Sequence, residues 1–150
     1  MSTTIYFDMD GTIADLYNVP DWLARLRNED ATPFRVAAPL VNMSAFARLL
    51  HSLQKNNVKI GIITWTSMHS SPAFHEAVAK EKVLWLKKHL PSVSWDEIHI
   101  VPYGTPKISV AEEPGVAVLF DDNEEIRNNW PGLDFDESQI LHILKTWFLR

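Results

Sequence analysis

Several short runs of aliphatic and β-branched residues, each stopped by turn formers or acidic side chains, most limit how this chain can fold. Residues 4–9 (TIYFDM) read as a buried strand ending at the turn Asp10-Gly11-Thr12. Residues 58–63 (VKIGII) form a second run, entered through the turn-prone pair Asn56-Asn57. Glu97–Val101 is a third, stopped by Pro102, and residues 116–120 a fourth, opened by Pro114-Gly115. A short fifth falls at Leu133–Phe135. The stretches between them have helical period. Over Met43–Lys55, Phe46, Leu49, Leu50 and Leu53 fall on one face. Residues 72–90 form a long helix that tolerates Pro72 in its first turn. A last helix starts near Ser138, with Asp136 and Gln139 spaced as a capping box. Strands alternating with helices predict a mostly parallel sheet covered on both faces, a Rossmann-like three-layer α/β/α class. Ligands in such sheets bind beyond the carboxyl ends of the strands.

Bulk properties narrow the function. The 150 residues suit one domain, 1–150. The absence of cysteine excludes disulfides, thiolate catalysis and cysteine-based zinc sites. A net charge of −5 argues against a polyanion as the ordinary partner, so nucleic acid is expected only as a phosphorylated end. No apolar stretch reaches membrane-spanning length, and the amino terminus lacks a leader pattern. The expectation is a soluble cytoplasmic protein with no membrane partner. The six histidines, at 51, 69, 75, 89, 99 and 142, make no metal-ligand spacing.

Chemistry concentrates where hydrophobic strands run out. Asp8 and Asp10 flank Met9 at the end of the first strand, and Asp121 and Asp122 follow Leu119-Phe120 at the end of the fourth. Asp10-Gly11 alone would make an ordinary turn, and Asp122 or Asn123 alone would cap a helix. Asp8 inside an apolar run is less simply explained, because an unpaired buried carboxylate is costly. Adjacent carboxylates raise each other's pKa unless a cation lies between them, and an all-oxygen set suits Mg²⁺.

This arrangement closely resembles the haloacid dehalogenase (HAD) superfamily, most of whose members are phosphatases. The resemblance covers most of the chain and rests on four motifs in order. Asp8-Met9-Asp10-Gly11-Thr12 is similar to the family's first motif, implying Asp8 as nucleophile and Asp10 as general acid and base. Thr64, after Gly61-Ile62-Ile63, corresponds to the second-motif hydroxyl that contacts the phosphoryl group, with Thr66 as the alternative. Lys107 corresponds to the third-motif lysine, and Asp121-Asp122 to the double-aspartate fourth motif that holds Mg²⁺. The resemblance implies metal ligands from the Asp8 side chain, the Asp10 backbone carbonyl and Asp121 or Asp122. Gly11, Thr12, Trp65 and Thr66 would adjoin the phosphate, with Thr12 orienting Asp10. The chemistry is coherent in itself. A carboxylate nucleophile splits hydrolysis into two displacements, and cations must offset its repulsion from phosphate.

Residues 14–41 read as a small cap insertion with one or two short helices. It carries Tyr17, Trp22, Phe34, Arg25, Arg27 and Arg35, which either pack the insertion or grip a base and a phosphate. With Thr64-Trp65-Thr66-Ser67, the small cap resembles the 5′(3′)-deoxyribonucleotidases, although those usually carry Val at the Thr12 position and have larger caps. The expected partner is a small phosphorylated substrate such as a nucleotide. Alternatives are a phosphorylated nucleic-acid end, a phosphoprotein, or a non-catalytic module that binds metal and phosphate. A phosphotransferase or dehalogenase is a third class, and the acidic pairs favour phosphoryl chemistry. Lys80, Lys82, Lys87 and Lys88 on the long helix read as a solvated face.

Overall fold

The computed structural model describes residues 3–148. The strands are β1 Thr4–Phe7, β2 Ala14–Asp15, β3 Ala38–Pro39, β4 Lys59–Trp65, β5 Glu97–Val101, β6 Val118–Phe120 and β7 Leu133–Phe135. The α-helices are α1 Trp22–Arg27, α2 Thr32–Val36, α3 Met43–Lys55, α4 Pro72–His89, α5 Glu124–Asn128 and α6 Ile140–Trp147. Five strands form one sheet in the order β5-β4-β1-β6-β7, and every pairing in it is parallel.

That order fixes where a ligand must bind. From β1 the chain builds outward through β4 to β5, then returns to the other side of β1 for β6 and β7. The reversal lies between β1 and β6, and the crevice beyond their carboxyl ends is the binding place of such sheets. Asp8 follows β1 and Asp121 follows β6 directly. The Asp8 N–H donates to the Phe120 carbonyl at 2.9 Å, so the ladder continues one step into the acidic rim.

Side-chain alternation sorts the core. Ile5, Phe7, Ile60, Ile62, Val118 and Phe120 face one side, where Phe46, Leu50 and Leu53 of α3 and Ile140, Ile143 and Leu144 of α6 cover them. Tyr6, Ile63 and Leu119 face the other side and meet Ala111, Ala117 and Trp130. That second layer is thin, built from short 3₁₀ turns and α5. Helix ends follow local chemistry. Asn42 caps α3 by accepting from the Ala45 N–H at 3.0 Å, and Ser71 caps α4 through the Phe74 N–H at 3.1 Å. The capping box of Asp136 and Gln139 is present, although it opens the 3₁₀ turn Glu137–Gln139 that leads into α6.

Strand ends differ from the sequence reading: β1 stops at Phe7 rather than running to residue 9, because the chain turns into the hydrogen bonds that close on the Met9 carbonyl, and β4 begins at Lys59 rather than residue 58. β4 runs through Trp65, because β5 supplies partners as far as Thr64↔Ile100 and Trp65↔Val101. Residues 116 and 117 do not join β6; Pro114–Val116 close a 3₁₀ turn instead.

Between β1 and α3 lie the two-stranded β2–β3 flap and helices α1 and α2. They are fastened to α4. Leu16 and Phe34 are buried against Phe74 and Val78, the Trp85 indole donates to the Ala37 carbonyl at 2.8 Å, and Ser71 donates from its N–H and hydroxyl to the Glu29 carboxylate at 3.0 and 2.9 Å. Among the described residues, no helix is long and apolar enough to cross a membrane.

Candidate active site

The turn after β1 is wound tightly around one carbonyl. Met9 accepts from the N–H groups of Thr12, Ile13 and Ala14 at 3.0, 3.0 and 2.9 Å. Gly11 takes φ +78°, and a Cβ there would run into the Asp122 carboxylate and the Tyr17 ring. Only glycine enters that conformation without penalty. This close approach brings the first acidic pair against the second.

Lys107 holds the two pairs together. Its ammonium, buried with the rest of its side chain, donates to Asp8 Oδ1 at 2.9 Å and to Asp121 Oδ2 at 2.6 Å. Burial pulls this ammonium down, but Asp8 and Asp121 outweigh it and hold Lys107 above the ordinary lysine value. The Thr12 hydroxyl donates to Asp8 Oδ2 at 3.0 Å and lies 3.3 Å from Asp122 Oδ1. Asn123 caps α5 by accepting from the Glu125 and Ile126 N–H groups, which leaves Asp122 to face the cavity.

Carboxylates outnumber cations here. Among the described residues, the cations that donate to the carboxylates of Asp8, Asp10, Asp121 and Asp122 are the ammonium groups of Lys107 and Lys82. Burial, and then the negative Asp8, pushes Asp121 up to about 6; burial, with Asp8 and Asp121 beside it, pushes Asp122 up to about 8. Oxygens of Asp8, Asp121 and Asp122 all lie within 4.8 Å of one another. Hard oxygen donors carrying excess negative charge fit a divalent cation such as Mg²⁺. Above them opens a cavity of about 470 Å³. Its walls include two ring pairs, Tyr17 with Trp22 (centroids 5.0 Å apart) and Trp65 with Tyr103 (4.9 Å).

No family model and no curated protein matches the sequence. Solved structures do match it in shape. The D,D-heptose 1,7-bisphosphate phosphatase of Burkholderia thailandensis superposes with a TM-score of 0.50 at 15% identity, over 83% of this chain and 68% of that one. The chain has the fold of that phosphatase. A Mesorhizobium loti protein assigned as an HAD-like phosphatase aligns at 12% identity and TM-score 0.48, over 81% of this chain and 64% of that one.

On this fold, Asp8, Asp10, Trp65, Thr66, Lys107, Asp121 and Asp122 line one cavity. Three expectations need correction. Thr64 does not face the cavity. It is an interior strand residue, fully buried, and its hydroxyl accepts from Lys82 at 2.6 Å. Thr66 is the hydroxyl at the rim, held by His75 Nδ1 at 2.8 Å. Thr12 orients Asp8 and Asp122 rather than Asp10, because its side chain turns toward β6. Lys82 is no part of a solvated face. It is 1% exposed and donates to Asp10 Oδ2 at 2.7 Å. The sequence carries a signal for this: Val78, Trp85 and Leu86 lie four before, three after and four after Lys82, so it sits within the apolar stripe of α4. Of the insertion's arginines, Arg27 lines the cavity, while Arg35 lies 3.6 Å from Glu81 on α4.

Proposed function

We propose that the protein is a Mg²⁺-dependent phosphomonoester hydrolase that works through an aspartyl-phosphate on Asp8. The observation that carries this reading is the Lys107 bridge between Asp8 and Asp121 at the sheet's switch point. It gathers a carboxylate placed to attack, a cation and an acidic pair that could hold a metal in one crevice. The side chains of Asp8, Asp121 and Asp122 and the Asp10 carbonyl would hold Mg²⁺. When bound, the ion neutralises phosphoryl oxygens and lets an anionic nucleophile approach.

The chain's own residues account for the rest. A carboxylate oxygen of Asp8 attacks phosphorus while the bond to the leaving oxygen breaks. Asp10 gives its proton to that oxygen, then takes one from the water that cleaves the acyl phosphate, releasing phosphate and restoring Asp8. Burial holds the Asp10 carboxyl above the usual carboxylate range despite Lys82 nearby, which suits an acid that must meet its substrate protonated. Lys107 carries charge on the transferred group, and the Thr66 hydroxyl contacts a phosphoryl oxygen.

The substrate in this reading is a small phosphometabolite with a planar group, such as a (deoxy)nucleotide. The two ring pairs offer faces for a base, and Arg27 offers a cation at the wall. The test is Mg²⁺-dependent phosphate release from 4-nitrophenyl phosphate and a nucleotide panel, with Asp8→Asn as control. Activity that survives Asp8→Asn removes the nucleophile role, and no turnover of any ester favours a binding module.

A further inference from the structure

Lys82 is the buried charge that the reaction above leaves without a task. It comes from the third turn of α4 and reaches the floor of the site, where it donates to Asp10 Oδ2 at 2.7 Å and Thr64 Oγ1 at 2.6 Å. Phe34 of the insertion lies over it, with the ammonium 5.1 Å from the ring centre. Its neighbours on the same helix face, Val78, Trp85 and Leu86, are all buried apolar side chains. Removing a lysine head from water is expensive, and an apolar residue of similar volume often serves stability as well or better. An interior ion pair at this position therefore calls for a functional reason.

We infer that Lys82 is the positioning residue for Asp10, clamping Oδ2 so that Oδ1 is the oxygen presented to the cavity. The inference rests on the acid–base role proposed for Asp10. An ammonium can only donate, so the oxygen it holds must act as acceptor. A proton carried by this carboxyl then belongs on the other oxygen. Among the described residues no donor reaches Asp10 Oδ1, and Asp10 lines the cavity. Thr64 fixes the ammonium from the strand side and Phe34 shields it from water, so neither partner can swing away. Holding a proton donor in one orientation is worth much of its catalytic effect, because a small misplacement costs a large factor in rate. The arrangement also gives Thr64 a purpose inside the strand, one layer below the phosphate.

The test compares two aryl esters in single-turnover release of the phenol. 4-Nitrophenyl phosphate has a leaving group that departs readily without a proton, whereas phenyl phosphate needs one. Lys82→Met should slow release from phenyl phosphate on the order of 10²-fold, with a loss roughly ten-fold smaller for the nitrophenyl ester. Added to Asp10→Asn, the same substitution should cost no more than about two-fold, because it acts through the side chain already removed. Thr64→Val, which loosens the clamp without uncovering a charge, should show the same ester-selective loss at smaller size; it carries the test if Lys82→Met does not fold. Equal losses on both esters, or losses that multiply in the double variant, overturn the assignment. Wild-type protein that turns over neither ester sinks the phosphatase reading itself, a result distinct from either.

Discussion

The backbone N–H of Asp122 donates to the hydroxyl of Thr12 at 3.1 Å, tying the end of β6 to the turn after β1 across 110 positions of chain. The same hydroxyl donates to Asp8 at 3.0 Å, so one side chain serves both acidic pairs. Thr12→Val keeps the shape and removes both bonds. It leaves a partly buried N–H unpaired, which costs about 1–3 kcal/mol. Urea unfolding should record a loss in that range. Titration with Mg²⁺ should record weaker binding, because Asp8 and Asp122 lose the link that holds them side by side.

Stability without metal should depend on pH in an unusual direction. Asp121 at about 6 and Asp122 at about 8 both lie above the ordinary 3.8, so the folded chain favours their protonated forms more than the unfolded chain does. Their contribution is complete below about pH 4 and is lost as pH climbs through 6 and then 8. In EDTA, the melting temperature should fall between about pH 5 and pH 9. With Mg²⁺ present the fall should flatten, and Mg²⁺ affinity should rise over the same interval as protons stop competing for the carboxylates. A melting temperature in EDTA that rises steadily with pH would contradict the crowded-carboxylate geometry.

Gly11→Ala should damage both fold and site. Its backbone sits at φ +78°, where a Cβ is strained, and the added carbon meets the Asp122 carboxylate. The strain alone should exceed about 1 kcal/mol. Because the collision falls on Asp122, Mg²⁺ binding should suffer more than thermal stability. Calorimetry of metal binding beside a thermal melt separates the two effects.

Tyr103 is half exposed and pairs with Trp65 at the cavity wall, so Tyr103→Ala should leave the fold intact. Loss of one stacking face is worth about 1–3 kcal/mol per base, or roughly a 5- to 150-fold rise in KM for a nucleoside monophosphate. Inhibition by inorganic phosphate, which has no ring to stack, should stay the same. Equal weakening of both would place Tyr103 against the phosphate instead of the base.

The sequence was most readable where one physical pressure acts alone. Asp8 and Asp121 each follow an unbroken apolar run, so their place at the rim of a parallel sheet follows from the strands, and the sheet order then brings them together. The end of β4 was not readable in this way. Thr64 and Thr66 are the same residue type two positions apart, and only the partners offered by β5, including the Val101 carbonyl that accepts from the Thr66 N–H at 2.9 Å, decide which is interior. Lys82 was obscured by its neighbours. On a helix that also carries Lys80, Lys87 and Lys88, one more lysine looks like surface, and the acid that makes its burial tolerable lies 72 positions away. Thr12 was placed correctly in the turn but assigned to the wrong aspartate, since its rotamer depends on a strand from the far end of the chain.

The fastening of residues 14–41 to α4, through Glu29 and Ser71 at one end and Ala37 and Trp85 at the other, has a consequence for how this protein meets its substrate. A flap rooted in the same helix that supplies Lys82 and His75 should turn little on its own. Admission should then depend on fit to the frame already formed, and the rate of entry should respond little to solvent viscosity beyond simple diffusion.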